Sequence, residues 1–156
     1  MLEFRQSIEG DCAYNAVLRA NDVDLKALAQ AYRVLQKTFD QQDIAAQANA
    51  EFHLSIAEAS HNLIFLHLVK SLFTVLQTNM HISISQMFEN RIAREALMNQ
   101  HAAIYDAIVN RQPSTAKEAA HQHILYVEHL LQDFNREQHR RERSERRHQQ
   151  AEAIKQ

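Results

Sequence analysis

Apolar positions in this chain recur at three- and four-residue spacing nearly from end to end, and the interruptions are short. The pattern predicts a first helix over about Leu2 to Arg19. A second opens on an Asn21-Asp22 cap and carries Leu25, Leu28, Ala29, Tyr32, Leu35 and Phe39 along one stripe. A third, from about Asp43 to Ala59, puts Ala45, Asn49, Phe52, His53, Ile56 and Ser60 on one face, and Ser60-His61-Asn62 supplies capping side chains for a new start. The fourth is long, about Asn62 to Phe88, with Leu66, Val69, Phe73, Leu76, Met80, Ile84 and Met87 as its seam. A fifth covers about Ile92 to Asn110 with Leu97, His101, Ile104 and Ile108 in phase, and Arg111-Gln112-Pro113-Ser114 closes it. The sixth, from Ser114, carries Ala116, Ala120, His123, Val127, Leu130, Leu131 and Phe134 before its apolar face gives way to Arg, Glu, His and Gln. The expected architecture is an all-α antiparallel bundle of about six helices over residues 1–134, followed by a charged, helical or disordered tail over 135–156.

Composition narrows this reading. One glycine and one proline in 156 residues leave almost no tight-turn chemistry, which excludes β sandwiches, β barrels and glycine-rich phosphate loops. The content of 46% hydrophobic and 23% charged residues fits one domain with a real core. A lone Cys12 can form neither an internal disulfide nor a cysteine-based zinc site, and together with the lack of any apolar run near the roughly 20 residues of a membrane helix it points to the cytoplasm and away from membranes. The net charge of −2 hides an asymmetry: from Asn135 onward there are seven basic and four acidic residues, so the body before it is acidic and has no basic face for nucleic acid.

Ten histidines are the compositional oddity. Three of them, His53, His101 and His123, each occupy a slot in the apolar stripe of a different helix. For any one alone, a buried imidazole with a hydrogen-bond partner is the plainer explanation. Three together can converge in a bundle and supply nitrogen ligands to a divalent metal with a position left open. Asn49, one turn before His53, can offer a weak oxygen ligand or can simply be a buried amide. Glu58-x-x-His61 and Glu118-x-x-His121 match the spacing of di-iron bundles, but His121 lies about 200° around its helix from His123 and His61 falls at a break. Three histidines and a water also describe a catalytic zinc, so a metal-dependent hydrolase is the alternative; its general base would be Glu51, which diverges from His53 by about 200°. In the tail, Arg136, Arg140, Arg141, Arg143, Arg146 and Arg147 suggest nucleic acid, whereas the interleaved Glu137, Glu142 and Glu145 favour ion pairs along the helix.

The segment NAEFHLSIAEASHN, Asn49 to Asn62, resembles the FCD domain, the effector-binding and dimerisation half of FadR-subfamily GntR-type bacterial transcription regulators. The resemblance extends to FRQSIEGDCAYNAVLRA at the start and QHAAIYDAIVNRQPSTAKEAAHQHI near the end, and the intervals of 4, 48 and 22 residues between Asn49, His53, His101 and His123 fit that family's metal-ligand pattern. FHLSIAEASHN and REQHRRERSERR are most similar to lactate- and pyruvate-responsive members. The resemblance implies that His53, His101 and His123 bind a divalent metal, commonly zinc, with nickel or manganese as alternatives. It places Asn49 where many members have Asp, and Arg5 near the effector pocket, with an interhelical surface salt bridge as the other reading of Arg5. It further implies a small carboxylate effector, such as a 2-hydroxy or 2-oxo acid, a homodimer, and DNA contacts made only through an N-terminal winged helix-turn-helix domain absent from this chain.

Overall fold

The computed structural model of the protein describes residues 2–79 and 90–153. Six helices account for nearly all of them: α1 (Leu2–Arg19), α2 (Asp22–Thr38), α3 (Gln42–Ala59), α4 (Leu63–Asn79), α5 (Arg91–Val109) and α6 (Pro113–Ala153). The result is an all-α bundle, as the periodicity predicts. The expected continuation of the fourth helix to Phe88, with Met80, Ile84 and Met87, lies outside the described residues.

Asparagine starts three of these helices. Asn21 accepts from the backbone N–H groups of Val23 and Asp24 at 2.8 and 3.1 Å, while Asp24 Oδ2 accepts from Asn21 N–H at 2.9 Å, a reciprocal capping box. Asn62 caps α4 through Ile64 and Phe65, and Asn90 caps α5 through Ala93. Helix α6 begins at Pro113, one residue before the expected Ser114, because a proline at the first helical position gives up an N–H that would be unpaired there anyway.

A chain with one glycine must end its helices with other residues in the left-handed conformation. His61 (φ 50°) and Arg111 (φ 57°) take that position after α3 and α5. Behind Arg111 the backbone closes a Schellman motif, Arg111 N–H donating to Ile108 and Gln112 N–H to Ala107 at 3.1 and 2.9 Å. Its guanidinium then donates to the Val17 and Ala20 carbonyls, both at 2.8 Å, and so satisfies the C-terminal end of α1 from across the bundle. Arg19 in turn donates to the Ser60 carbonyl at 3.1 Å, and His61 pairs with Asp24 at 2.7 Å.

Helix α1 occupies the middle, packed on α3, α4, α5 and α6, with α2 laid over α3 and α5. Small residues allow the close approach: Ala13 and Ala16 of α1 and Ala116 and Ala120 of α6 are buried, and a Cβ on Gly10 would sit 3.4 Å from Lys117 of α6. Phe52, Leu28, Ile104, Ile108 and Ile124 fill the core. Cys12 is buried there too; burial, with Glu9 and Asp11 nearby, pushes its thiol up to about 12, so it is a packing residue and not a nucleophile.

The double role of Arg111 yields a test. Arg111→Ala removes two hydrogen bonds to the α1 terminus and leaves a left-handed Cβ in place, and is expected to cost about 1–3 kcal/mol in urea unfolding. Arg111→Gly loses the same bonds but relieves the backbone cost of about 1 kcal/mol, so it should unfold at a higher urea concentration than the alanine variant.

Candidate metal centre

Helix α3 supplies His53, α5 supplies His101 and α6 supplies His123, and all three are buried, at 4%, 4% and 2% exposure. The rings meet: centroid separations are 5.4 Å for His53–His101, 5.2 Å for His53–His123 and 4.4 Å for His101–His123. One nitrogen from each lies within 4.8 Å of the others, a group able to hold a metal ion.

The outward nitrogens decide which way the rings face. His53 Nδ1 lies 2.8 Å from Glu9 Oε2, a close but bent contact in which that oxygen makes no hydrogen bond of good geometry. His123 Nδ1 lies 3.0 Å from Gln100 Oε1. An acceptor opposite Nδ1 places the proton there, which leaves Nε2 of both rings as a lone pair. His53 Nε2 is 3.3 Å from His101 Nε2, within hydrogen-bond distance, so the His53 lone pair accepts when His101 carries its proton on Nε2. His101 Nδ1 is buried without a partner of good geometry, although the Leu97 carbonyl one turn back interacts with the ring. Ring nitrogens gathered at one point, with carboxylate and amide groups behind two of them, are an arrangement that a divalent cation can occupy. The donor set, neutral nitrogens of borderline softness, suits zinc or a similar transition ion better than magnesium or calcium.

Burial is the first reason two of the rings stay neutral. It holds His101 and His123 well below the usual imidazole range; His53 and Arg5 add to the effect at both rings and His101 adds to it at His123, while at His101 only the Glu9 charge and the Leu97 carbonyl oppose it. Phe52 stands edge-on to His53 and His101, and Phe73 covers His53.

Arg5 does not make the interhelical surface salt bridge that was its other reading. It is 5% exposed, its Nε donates to Glu9 Oε1 at 2.6 Å within α1, and its guanidinium lies 5.3 Å from the Phe73 ring centroid. Burial alone would raise the Glu9 carboxyl, but Arg5 and His53 overcome it and hold the group at about 2. The Glu9 carboxylate therefore bridges the arginine and the first imidazole. Asn49 is half-buried one turn before His53 on α3.

Glu9 and Gln100 are absent from the sequence reading. The available signal for Glu9 was two charged residues four apart, Arg5 and Glu9, in phase with buried Ile8, Cys12 and Ala16 on α1. The di-iron pairs face elsewhere: His61 binds Asp24, His121 meets Gln6 at 3.1 Å, and Glu58 and Glu118 are exposed. Glu51, the base required by a hydrolase, is exposed and accepts from Gln47.

Residues 1–126 match the FCD domain. The chain belongs to the FCD domain family. Its relatives include a regulatory protein of the L-lactate dehydrogenase operon in Escherichia coli (strain K12), 33% identical over 143 residues, which cover 92% of this chain and 55% of that protein. The Glc operon transcriptional activator of the same strain is 28% identical over 144 residues, covering 89% of this chain and 57% of that one. The HTH-type transcriptional regulator LutR of Bacillus subtilis (strain 168) is 25% identical, covering 86% and 62%. The solved structure of E. coli McbR/YncC has the same fold, with a TM-score of 0.67 at 17% identity over 85% of this chain and 63% of that one. The FCD chain thus spans little more than half the length of the first two relatives. It is a regulatory domain of the GntR class and not an enzyme, which sets aside the hydrolase alternative. No helix among the described residues is long and apolar enough to cross a membrane.

Neutral buried imidazoles fix the sign of the acid response. Their folded pKa values lie below the unfolded value of about 6.5, so below that pH the unfolded chain takes up protons that the folded chain refuses. Stability in the presence of EDTA should therefore be full above pH about 6.5 and fall towards pH 5, by up to about 1.4 kcal/mol per pH unit for each ring held neutral. Glu9 acts in the same direction but later, between about 4.5 and about 2, so it leaves that window untouched. Urea midpoints measured across pH 7.5 to 5 check this; a flat profile would show that the rings protonate freely in the folded state.

Proposed function

We propose that this FCD domain senses a small carboxylate, a 2-hydroxy or 2-oxo acid such as lactate or pyruvate, at a divalent metal held by His53, His101 and His123. Zinc is the preferred ion, with nickel or manganese as alternatives. The observation that carries the reading is the convergence of three buried imidazoles backed by Glu9 and Gln100. The ion supplies positive charge for a carboxylate oxygen to rest on. Asn49 joins the ligand set as a neutral oxygen donor. Arg5, whose Nε is taken by Glu9, turns its remaining nitrogens to the effector's other oxygens. With a divalent cation and Arg5 set against the single charge of Glu9, two positive charges stay unbalanced in a water-poor site, which favours an anion.

The names of two relatives refer to the L-lactate dehydrogenase and Glc operons, which supports a small hydroxy acid as the effector class. In this reading the domain works as a homodimer in the cytoplasm, and DNA is read by an N-terminal winged helix-turn-helix domain preceding α1. Arg5 and Glu9 both sit on α1, so effector binding bears directly on the helix nearest that domain, and differential affinity for two positions of α1 supplies the coupling.

Calorimetry with lactate, pyruvate and citrate, on metal-loaded and on chelator-treated protein, tests the reading. Heat is expected only in the loaded state, and equal heats in both remove the metal from the proposal. Arg5→Gln should weaken carboxylate binding about 10- to 100-fold while metal content stays near one ion per chain. Asn49→Asp should retain metal against higher chelator concentrations and bind the anion less tightly, because it adds a negative charge beside the ion.

A further inference from the structure

The last third of α6 carries a second feature that owes nothing to the metal site. Beyond Phe134 the helix continues to Ala153, and from Asn135 to Gln150 its side chains are exposed save for the half-buried Gln138 and Glu142. On a helix turning about 100° per residue, Arg136, Arg140, Arg143 and Arg147 fall within about 60° of one another, a straight row about 16 Å long. The tail glutamates from Glu137 to Glu145 are turned away from it: Glu142 and Glu145 lie on the opposite half of the helix and Glu137 on its flank, while Asp133 lies in phase just before its start.

The ion pairs follow the same division. Glu137 accepts from Arg141 at 3.2 Å, and Glu142 pairs with Arg146 at 4.0 Å and His139 at 3.6 Å, so these two glutamates are occupied by basic residues outside the row. Within the row, Arg136 has a loose pair with Asp133 at 3.8 Å, both side chains 74% exposed. Arg140, Arg143 and Arg147 make no ion pair among the described residues; the Nε groups of Arg143 and Arg147 donate to the carbonyls of His139 and Arg143 on their own helix. Interleaving in sequence is therefore not cancellation in space.

We propose that this arginine row is a docking surface for the phosphate backbone of duplex nucleic acid. Every member is an arginine, the side chain best suited to phosphate oxygens through paired N–H donors. From Asn135 to Gln150 no apolar side chain accompanies the row, as an interfacial membrane helix would need, and its regular spacing along a straight axis matches a linear polyanion. The acidic body of the chain repels such a partner, so only the tail end approaches it. Glu145 on the back of the helix opposes insertion into a groove, where phosphates flank both sides. The contact is to the outside of one backbone and is independent of base sequence.

The test is fluorescence anisotropy of a labelled random-sequence DNA duplex with the full chain over a salt series. The unmutated chain should bind at low salt, with a log–log salt slope of about −3 to −4 for at most four phosphates. Arg140→Gln with Arg143→Gln should lower affinity at least tenfold and reduce the slope by about 2. Arg141→Gln with Arg146→Gln removes the same charge from outside the row and should have a smaller effect, with helicity of both variants checked by circular dichroism. Absence of low-salt binding by the unmutated chain, or equal losses in the two variants, would overturn the proposal. Binding to phosphatidylserine vesicles as tight as to the duplex would reassign the surface to membranes and overturn it as well.

Discussion

Five ionisable side chains, Arg5, Glu9, His53, His101 and His123, are buried together in the middle of a helical bundle, and the rest of the structure has to keep them matched. A buried charge without a partner costs several kcal/mol, so each charged member of this group has to meet its partner. Arg5 therefore needs Glu9, Glu9 needs His53, and His53 must stand opposite His101 while Gln100 meets His123. Those pairings join α1, α3, α5 and α6, and no other register of the four helices satisfies them all. The small residues at the α1–α6 crossing permit close packing, but the polar cluster selects one position within it.

The helix ends fix the same geometry from outside. Arg111 ties the α5–α6 turn to the end of α1, Arg19 ties that end to the end of α3, and His61 ties the α3–α4 turn to the start of α2. A chain rich in glycine could have ended each helix within itself. Here the left-handed positions go to His61 and Arg111, whose side chains reach across to other helices, so each turn is also a tertiary link. The backbone cost of a left-handed non-glycine residue is offset by a hydrogen bond or ion pair to another element.

Most of this was legible in the amino-acid sequence, for identifiable reasons. Helix periodicity is local, and the asparagine caps at residues 21 and 62 announce themselves, so the described helix starts fall within a residue or two of expectation; the cap at Asn90 adds a start signal outside that reading. The three histidines stood out because imidazoles on apolar stripes are conspicuous. Glu9 and Gln100 did not, because their meaning depends on which ring nitrogen each one faces, and no one-dimensional pattern carries that. Arg5 was placed on the right helix but read as a surface residue in one of its alternatives; its ion pair lies within α1, and burial of that face makes it a core residue. The expected ion pairs along the tail helix are present at Glu137 and Glu142, but they engage Arg141, Arg146 and His139 and leave Arg140, Arg143 and Arg147 outside them.

Asn49 and Glu9 pose one electrostatic question. A carboxylate bound directly to a metal holds it tightly and cancels part of its charge; a carboxylate behind a histidine orients the ring and raises its basicity at a longer distance from the ion. This chain has an amide at the first position and a carboxylate, held at about 2, at the second. Its negative charge is thus stable at any pH at which imidazoles are neutral, yet is partly committed to Arg5. Under the metal-site reading, such a centre gives up ion affinity and keeps more positive potential towards an incoming anion than a ligand set with Asp would. Arg5 gains from the same arrangement: Glu9 orders the guanidinium before any effector arrives, so less conformational freedom is lost when a carboxylate meets it.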